Sequence, residues 1–162
     1  MDYYENVVID YLRADRALFV NTECCIQIKA GRNPAKGTLW YCDAVVADFR
    51  SKAVFLCEIT YAMQLAILIK RLKAWDENWN GIRAALTRDC FLLNDWPVRP
   101  WLFVPEICVL PLLTGLSQIG SGSPKFTPRI TTLEPVHKLR QRNLASYRRG
   151  SGSGLASKHV SQ

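Results

Sequence analysis

An α/β fold, with a mixed sheet flanked by helices, is predicted by three features of this 162-residue sequence. The N-terminal segment carries apolar residues at helical spacing. Three apolar, strand-like runs then follow one another closely. A long helical stretch separates the third run from a fourth, proline-bounded one. Strands in a run with helices on either side point to a sheet covered by helices. A hydrophobic fraction of 49% and a charged fraction of 22% suit one globular domain with a sizeable core.

In YYENVVIDYLRADR (3–16), Tyr4, Val7, Val8, Tyr11 and Leu12 recur at helical period. LFVNTECCIQIKA (18–30) holds a first strand centred on CCIQI. GRNPAKG (31–37) concentrates Gly, Asn-Pro and Gly, which is turn chemistry. TLWYCDAVVADF (38–49) and AVFLCEITY (53–61) form the second and third strands. Only Arg50, Ser51 and Lys52 lie between them, so a hairpin is the natural pairing. From Ala62 to Leu86 the pattern is helical, with Leu65, Leu68, Leu72 and Trp75 on one stripe and Lys70, Arg71 and Lys73 away from it. Asn80-Gly81 is the expected stop, with 82–90 a second short helix. WPVRPWLFVPE (96–106) supplies a last strand, LFV, between prolines. ICVLPLLTGLSQI (107–119) reads as a final helix broken at Pro111.

The composition changes after Ile119. Residues 1–119 hold 13 Lys or Arg and 13 Asp or Glu; residues 120–162 hold eight against one acid, Glu134, and so carry the whole net charge of +7. The expected division is a folded domain at 1–119 and a disordered, basic, Gly/Ser-rich tail at 120–162. Such a tail is an electrostatic handle for a polyanion, or a solvated face with no specific partner.

Several function classes are excluded or left without support. No apolar run approaches the roughly 20 residues of a membrane helix, and MDYYENVV lacks the features of a signal peptide. A cytoplasmic protein with no membrane partner is expected. The six cysteines (Cys24, Cys25, Cys42, Cys57, Cys90, Cys108) make no C-x-x-C pair and read as buried, reduced thiols. The only histidines, His137 and His159, lie in the tail, so no Ser/His/Asp or Cys/His set can be built in the domain. No phosphate-loop glycine motif occurs. Trp75 and Trp79, four apart on a helix, suit core packing or a partner surface better than base stacking.

Two acids interrupt apolar strands. Glu58 shares a strand face with Leu56 and Thr60, and Asp43 shares one with Tyr41 and Val45. An unpaired carboxylate buried there costs several kcal/mol. A metal, a cation, hydrogen bonds or a raised pKa must compensate it. Neighbouring antiparallel strands can bring both carboxylates together, and such a pair binds a hard cation such as Mg²⁺. The structural alternative pairs Asp43 with Arg50, Lys52 or Lys29 and closes a salt bridge at Glu58.

The order of elements, DAVVADF with Asp43, CEIT with Glu58, and YENVVIDYL with Glu5 resemble the PD-(D/E)XK nuclease superfamily over roughly residues 3–106. The resemblance implies a restriction endonuclease-like αβββαβ core. It implies that Asp43 and Glu58 ligate Mg²⁺ or Mn²⁺, and that Glu5 is an auxiliary ligand or orients water. It also implies a lysine where this chain has Thr60, a hydroxyl without positive charge. Three readings stay open: Lys70 or Lys73 on the next helix takes the role, the hydroxyl suffices, or the site no longer cuts. Gln64 is a further candidate substrate contact and Glu23 a further acid. The implied activity is metal-dependent hydrolysis of phosphodiester bonds, with DNA as the expected nucleic-acid partner. The alternative is a catalytically inactive member of the same fold that binds nucleic acid or protein. A homo-oligomer fits either.

Overall fold

A computed structural model describes residues 3–28, 39–63, 65–90, 95–122 and 124–136. Helix α1 (Tyr3–Arg13) precedes three strands: β1 (Leu18–Gln27), β2 (Leu39–Asp48) and β3 (Ala53–Ile59). Helices α2 (Ala66–Glu77) and α3 (Trp79–Cys90) lead to β4 (Val98–Val104), α4 (Val109–Leu116) and β5 (Arg129–Thr132).

The strands lie side by side in chain order, β1-β2-β3-β4-β5. β1, β2 and β3 pair antiparallel, while β3–β4 and β4–β5 are parallel. This is the mixed, helix-flanked sheet that the sequence predicts. The β2–β3 hairpin closes on Asp48. Its carboxylate accepts the Arg50 N–H at 2.9 Å, the Ser51 N–H at 3.2 Å and the Ser51 hydroxyl at 2.7 Å. An aspartate bonding its own turn in this way fixes the reversal. The parallel step from β3 to β4 needs a long crossover, which α2 and α3 provide.

Strand alternation splits the core in two. Val54, Leu56, Leu102 and Val104 pack with Leu68, Leu72 and Trp75 of α2, Ile82 and Leu86 of α3, and Leu112 of α4. Phe55, Cys57, Trp101 and Phe103 face the other way, onto Val7, Val8 and Leu12 of α1. Trp75 and Trp79 are thus core residues, only 1% and 4% exposed.

The structure departs from the sequence-based expectation at three places. The helical stretch breaks at Asn78, whose amide Nδ2 donates to the Ala74 carbonyl at 3.0 Å. Gly81 lies inside α3, where a Cβ would come 2.8 Å from Cγ2 of Ile28; it permits close approach and does not end a helix. Pro111 does not break α4. It sits in the first turn, where no intrahelical N–H partner is required.

The third departure is a correction to the expected boundary at 119. β5 extends the sheet, Phe126 is buried against Trp79 at 4.8 Å between ring centroids, and Leu133 and Val136 join the α1-side core. Phe126, Leu133 and Val136 are buried although the Gly, Ser and Pro around them leave no regular apolar period in the sequence. Residues 137–162, the remainder of the expected tail, lie outside the described residues, as do Gln64 and the 31–37 turn. Among the described residues no helix is long and apolar enough to cross a membrane.

Candidate active site

Asp43 and Glu58 come from neighbouring strands. The hairpin register ends at Ala44 and Cys57, so Asp43 and Glu58 are the next residues beyond it on the two strands. Glu58 follows Leu56 onto the α2 side of the sheet, whereas Asp43 lines a cleft with Glu5 of α1. The backbone closes around Asp43, whose Oδ2 accepts the Ile59 N–H at 2.6 Å.

Glu58 is 4% exposed. Its compensation comes from α2: the Arg71 guanidinium makes an ion pair with Oε2. Glu58 Oε1 is buried and has no hydrogen-bond partner among the described residues. Burial pushes the Glu58 carboxyl up to about 8, the charge of Asp43 pushes in the same direction, and Arg71 opposes both. The two acids therefore feel one another electrostatically, as a shared site requires.

Asp43 and Arg71 border a cleft of about 450 Å³, and Glu58 lies buried behind its lining. Glu5 of α1, Tyr41, Cys42 and Asp43 of β2, Ile59 of β3 and Arg71 of α2 line it. Glu5 is half-buried in the first turn of α1. α1 and α2 cover opposite faces of the sheet, so the cleft opens where both helices reach the end of the strands. Cys42 is buried there, and its thiol is pushed up, first by desolvation and then by Cys24 and the two acids. Desolvation, followed by Asp43 and Glu58, likewise raises the thiol of Cys57 on the α1 face. Both stay protonated thiols and are poor nucleophiles. Cys25, Cys42, Cys57 and Cys108 form no disulfide.

Among the described residues, Arg71 is the cation that lines the cleft. Lys70 and Lys73 are exposed and lie away from the cleft lining. Thr60 stands just past the end of β3. Its N–H donates to the Phe103 carbonyl at 3.0 Å, and its hydroxyl accepts the Ala62 N–H at 3.2 Å as the chain leaves β3. Arg50, offered as a salt-bridge partner for Asp43, pairs instead with Asp15 at 2.8 Å. The side chain of Glu23 and all of Lys29 lie outside the described residues.

Arg71 was legible in principle. At 100° per residue it stands about 60° from Leu68, on the flank of the buried stripe, whereas Lys70 stands about 160° away. A long side chain on that flank can curl over the strand ends.

The donor chemistry fits a hard cation in kind. Asp43 and Glu58 offer carboxylate oxygens, one of them buried without a partner among the described residues, and Glu5 lines the same cleft. Mg²⁺ is commonly held by one or two carboxylates, with water and substrate completing the shell. Among the described residues no cluster of three or more His, Cys, Asp or Glu is gathered closely enough to hold a metal ion on its own. No family model matches this chain, and no curated protein or solved structure matches it either.

Proposed function

We propose that this chain is a nuclease-like domain of PD-(D/E)XK type whose Asp43–Glu58 pair serves hydrolysis of phosphodiester bonds in DNA. One observation carries the reading: Asp43 lines a cleft with Glu5 of α1 and Arg71 of α2, and the buried Glu58 is coupled electrostatically to Asp43 and paired with Arg71. The order helix, three strands, helices, strand supports it too.

Asp43, Glu58 and Glu5 are the residues that would hold Mg²⁺ or Mn²⁺, which supplies polarisation of a phosphoryl oxygen and a more acidic water. Arg71 brings the positive charge that Thr60 lacks. Its guanidinium can exchange Glu58 for a phosphate oxygen as charge develops there. Burial keeps the Glu58 carboxyl raised to about 8 without a metal, so to ligate a cation it would first have to release its proton. The Asp43 hydrogen bond to Ile59 fixes its carboxylate against the strand end.

A second reading has its own observation. Arg71 already neutralises Glu58, as a bound cation would, so the same fold can bind nucleic acid or protein without cutting. Supercoiled and linear DNA incubated with Mg²⁺ or Mn²⁺ separates the two. Asp43→Asn, Glu58→Gln and Arg71→Ala should each lower cleavage by at least about 100-fold, the usual scale for losing a charged group from such a site. Cleavage that survives both acid substitutions overturns the proposed site. Salt-dependent binding with no cleavage by the wild type selects the second reading.

A further inference from the structure

The other end of the sheet carries a second cleft, of about 330 Å³, on the α1 face. Two guanidiniums line it, Arg99 of β4 and Arg129 of β5. The register pairs Arg129 with Trp101 and Phe55 with Arg99, so all four side chains stand on one sheet face. A strand spacing of about 4.8 Å and two residue rises of about 3.3 Å separate the Arg99 and Arg129 Cα atoms by about 8 Å. Two arginine side chains span that gap easily.

Arg129 is held in place. Its Cζ lies 3.9 Å from the centroid of a Trp101 ring and 5.8 Å from that of Phe55. Stacking fixes the guanidinium plane and leaves its N–H edge available. Neither arginine has a carboxylate partner among the described residues. Asp48 lines the cleft, but its oxygens are engaged by Ser51 and the Arg50 N–H in the hairpin turn. Their bonding holds its carboxyl below the usual range, against the opposing effect of desolvation. Thr127 adds a hydroxyl at the rim.

Two such arginines side by side offer more donors than one carboxylate can use, since a single guanidinium already satisfies a carboxylate bidentately. A tetrahedral phosphate can engage both forks. We infer that this cleft is a second, non-catalytic anion site that takes the phosphate group of a nucleotide or of a nucleic-acid strand. It lies on the sheet face opposite Glu58, and it stands whether or not the Asp43–Glu58 pair cuts.

Calorimetric titration of the full chain tests it, with inorganic phosphate, a nucleoside 5′-monophosphate, a short single-stranded oligodeoxynucleotide and a Glu-rich peptide as probes. Running it on the Asp43→Asn background keeps cleavage out of the readout. Arg99→Gln should weaken binding of at least one phosphate-bearing probe by about 10-fold, and Arg99→Gln with Arg129→Gln by more. Arg99 is exposed and unstacked, so its substitution tests the site even if the loss of Arg129 harms folding. Weakening for free phosphate and nucleotide assigns a small ligand; weakening confined to the oligonucleotide assigns a strand, and either upholds the inference. Unchanged binding of every phosphate-bearing probe by Arg99→Gln overturns it. So does tighter binding of the Glu-rich peptide, which would make the cleft a protein-docking surface.

Discussion

Glu58 stands where local chemistry and the fold disagree, and its ionisation makes the disagreement measurable. Its carboxyl titrates at about 8 in the folded chain, mainly because burial disfavours the charge. In the unfolded chain it titrates near 4.5. Between those values the native state holds a proton that the unfolded state has released, so stability falls as pH rises from about 4.5 to about 8 and the loss is complete above that. A tenfold change in a protonation constant corresponds to about 1.4 kcal/mol, which makes the change across the window on the order of a few kcal/mol. Urea unfolding of the wild type should therefore show a lower midpoint at pH 9 than at pH 5. Glu58→Gln should remove most of that slope. His137 and His159 are common to both proteins, so the difference between the two curves belongs to Glu58. Parallel curves for the two proteins would show that Glu58 ionises as freely as a surface acid. The acid pair itself was legible, because side-chain alternation alone places Asp43 and Glu58 on apolar strand faces. The compensating cation was legible only in part: helical period sets Arg71 on the flank of the buried stripe, but its pairing with Glu58 depends on how α2 lies across the strand ends.

At the level of elements, the least visible feature in the sequence is the return of the chain after α4. Lys125 donates its backbone N–H to Asp76 Oδ1 at 2.6 Å and its Nζ to the Asp76 carbonyl at 3.0 Å. Asp76 is 5% exposed on α2, and Gly120, at φ +57°, passes close enough that a Cβ would lie 3.1 Å from Asp76 Oδ2. One buried carboxylate thus latches the segment that carries Phe126 and β5. Sequence pattern could not show this. A four-residue strand among lysines, arginines and prolines has too little alternation to be told from a tail, and only the open edge of β4 calls for it. The proline in β4 has the same logic. Pro100 cannot donate to a neighbour, and β5 begins only opposite Trp101, one residue later. Asp76→Ala removes the acceptor of the part-buried Lys125 N–H and costs about 1 kcal/mol, the usual net value of such a bond. The loss should concentrate in the last strand. Amide hydrogen exchange should speed up across 124–136 while β2 and β3 keep their protection. Uniform acceleration over the whole sheet would mean that the latch belongs to the global core and holds no separate element.

For the whole molecule, the charge division and the fold division do not coincide. The described fold runs to Val136, whereas six of the eight cationic residues beyond 119 lie in 137–162. Truncation at the two positions should therefore have different consequences. A chain ending at Ile119 loses β5, Phe126, Leu133 and Val136, exposing the β4 edge and part of both cores. It should express as an aggregating or poorly cooperative species. A chain ending at Val136 keeps every described element and should melt within a few degrees of the full protein. The second truncation alone is a clean test of the basic segment. If those six charges engage DNA phosphates, removing them should flatten the dependence of log affinity on log salt by up to about 5, following roughly 0.9 per phosphate neutralised. The cleft chemistry would be untouched, so any cleavage per bound complex should persist. An unchanged salt slope would instead place the polyanion contact on the folded domain, where Arg99 and Arg129 are the cations that the sheet holds side by side with no carboxylate partner among the described residues.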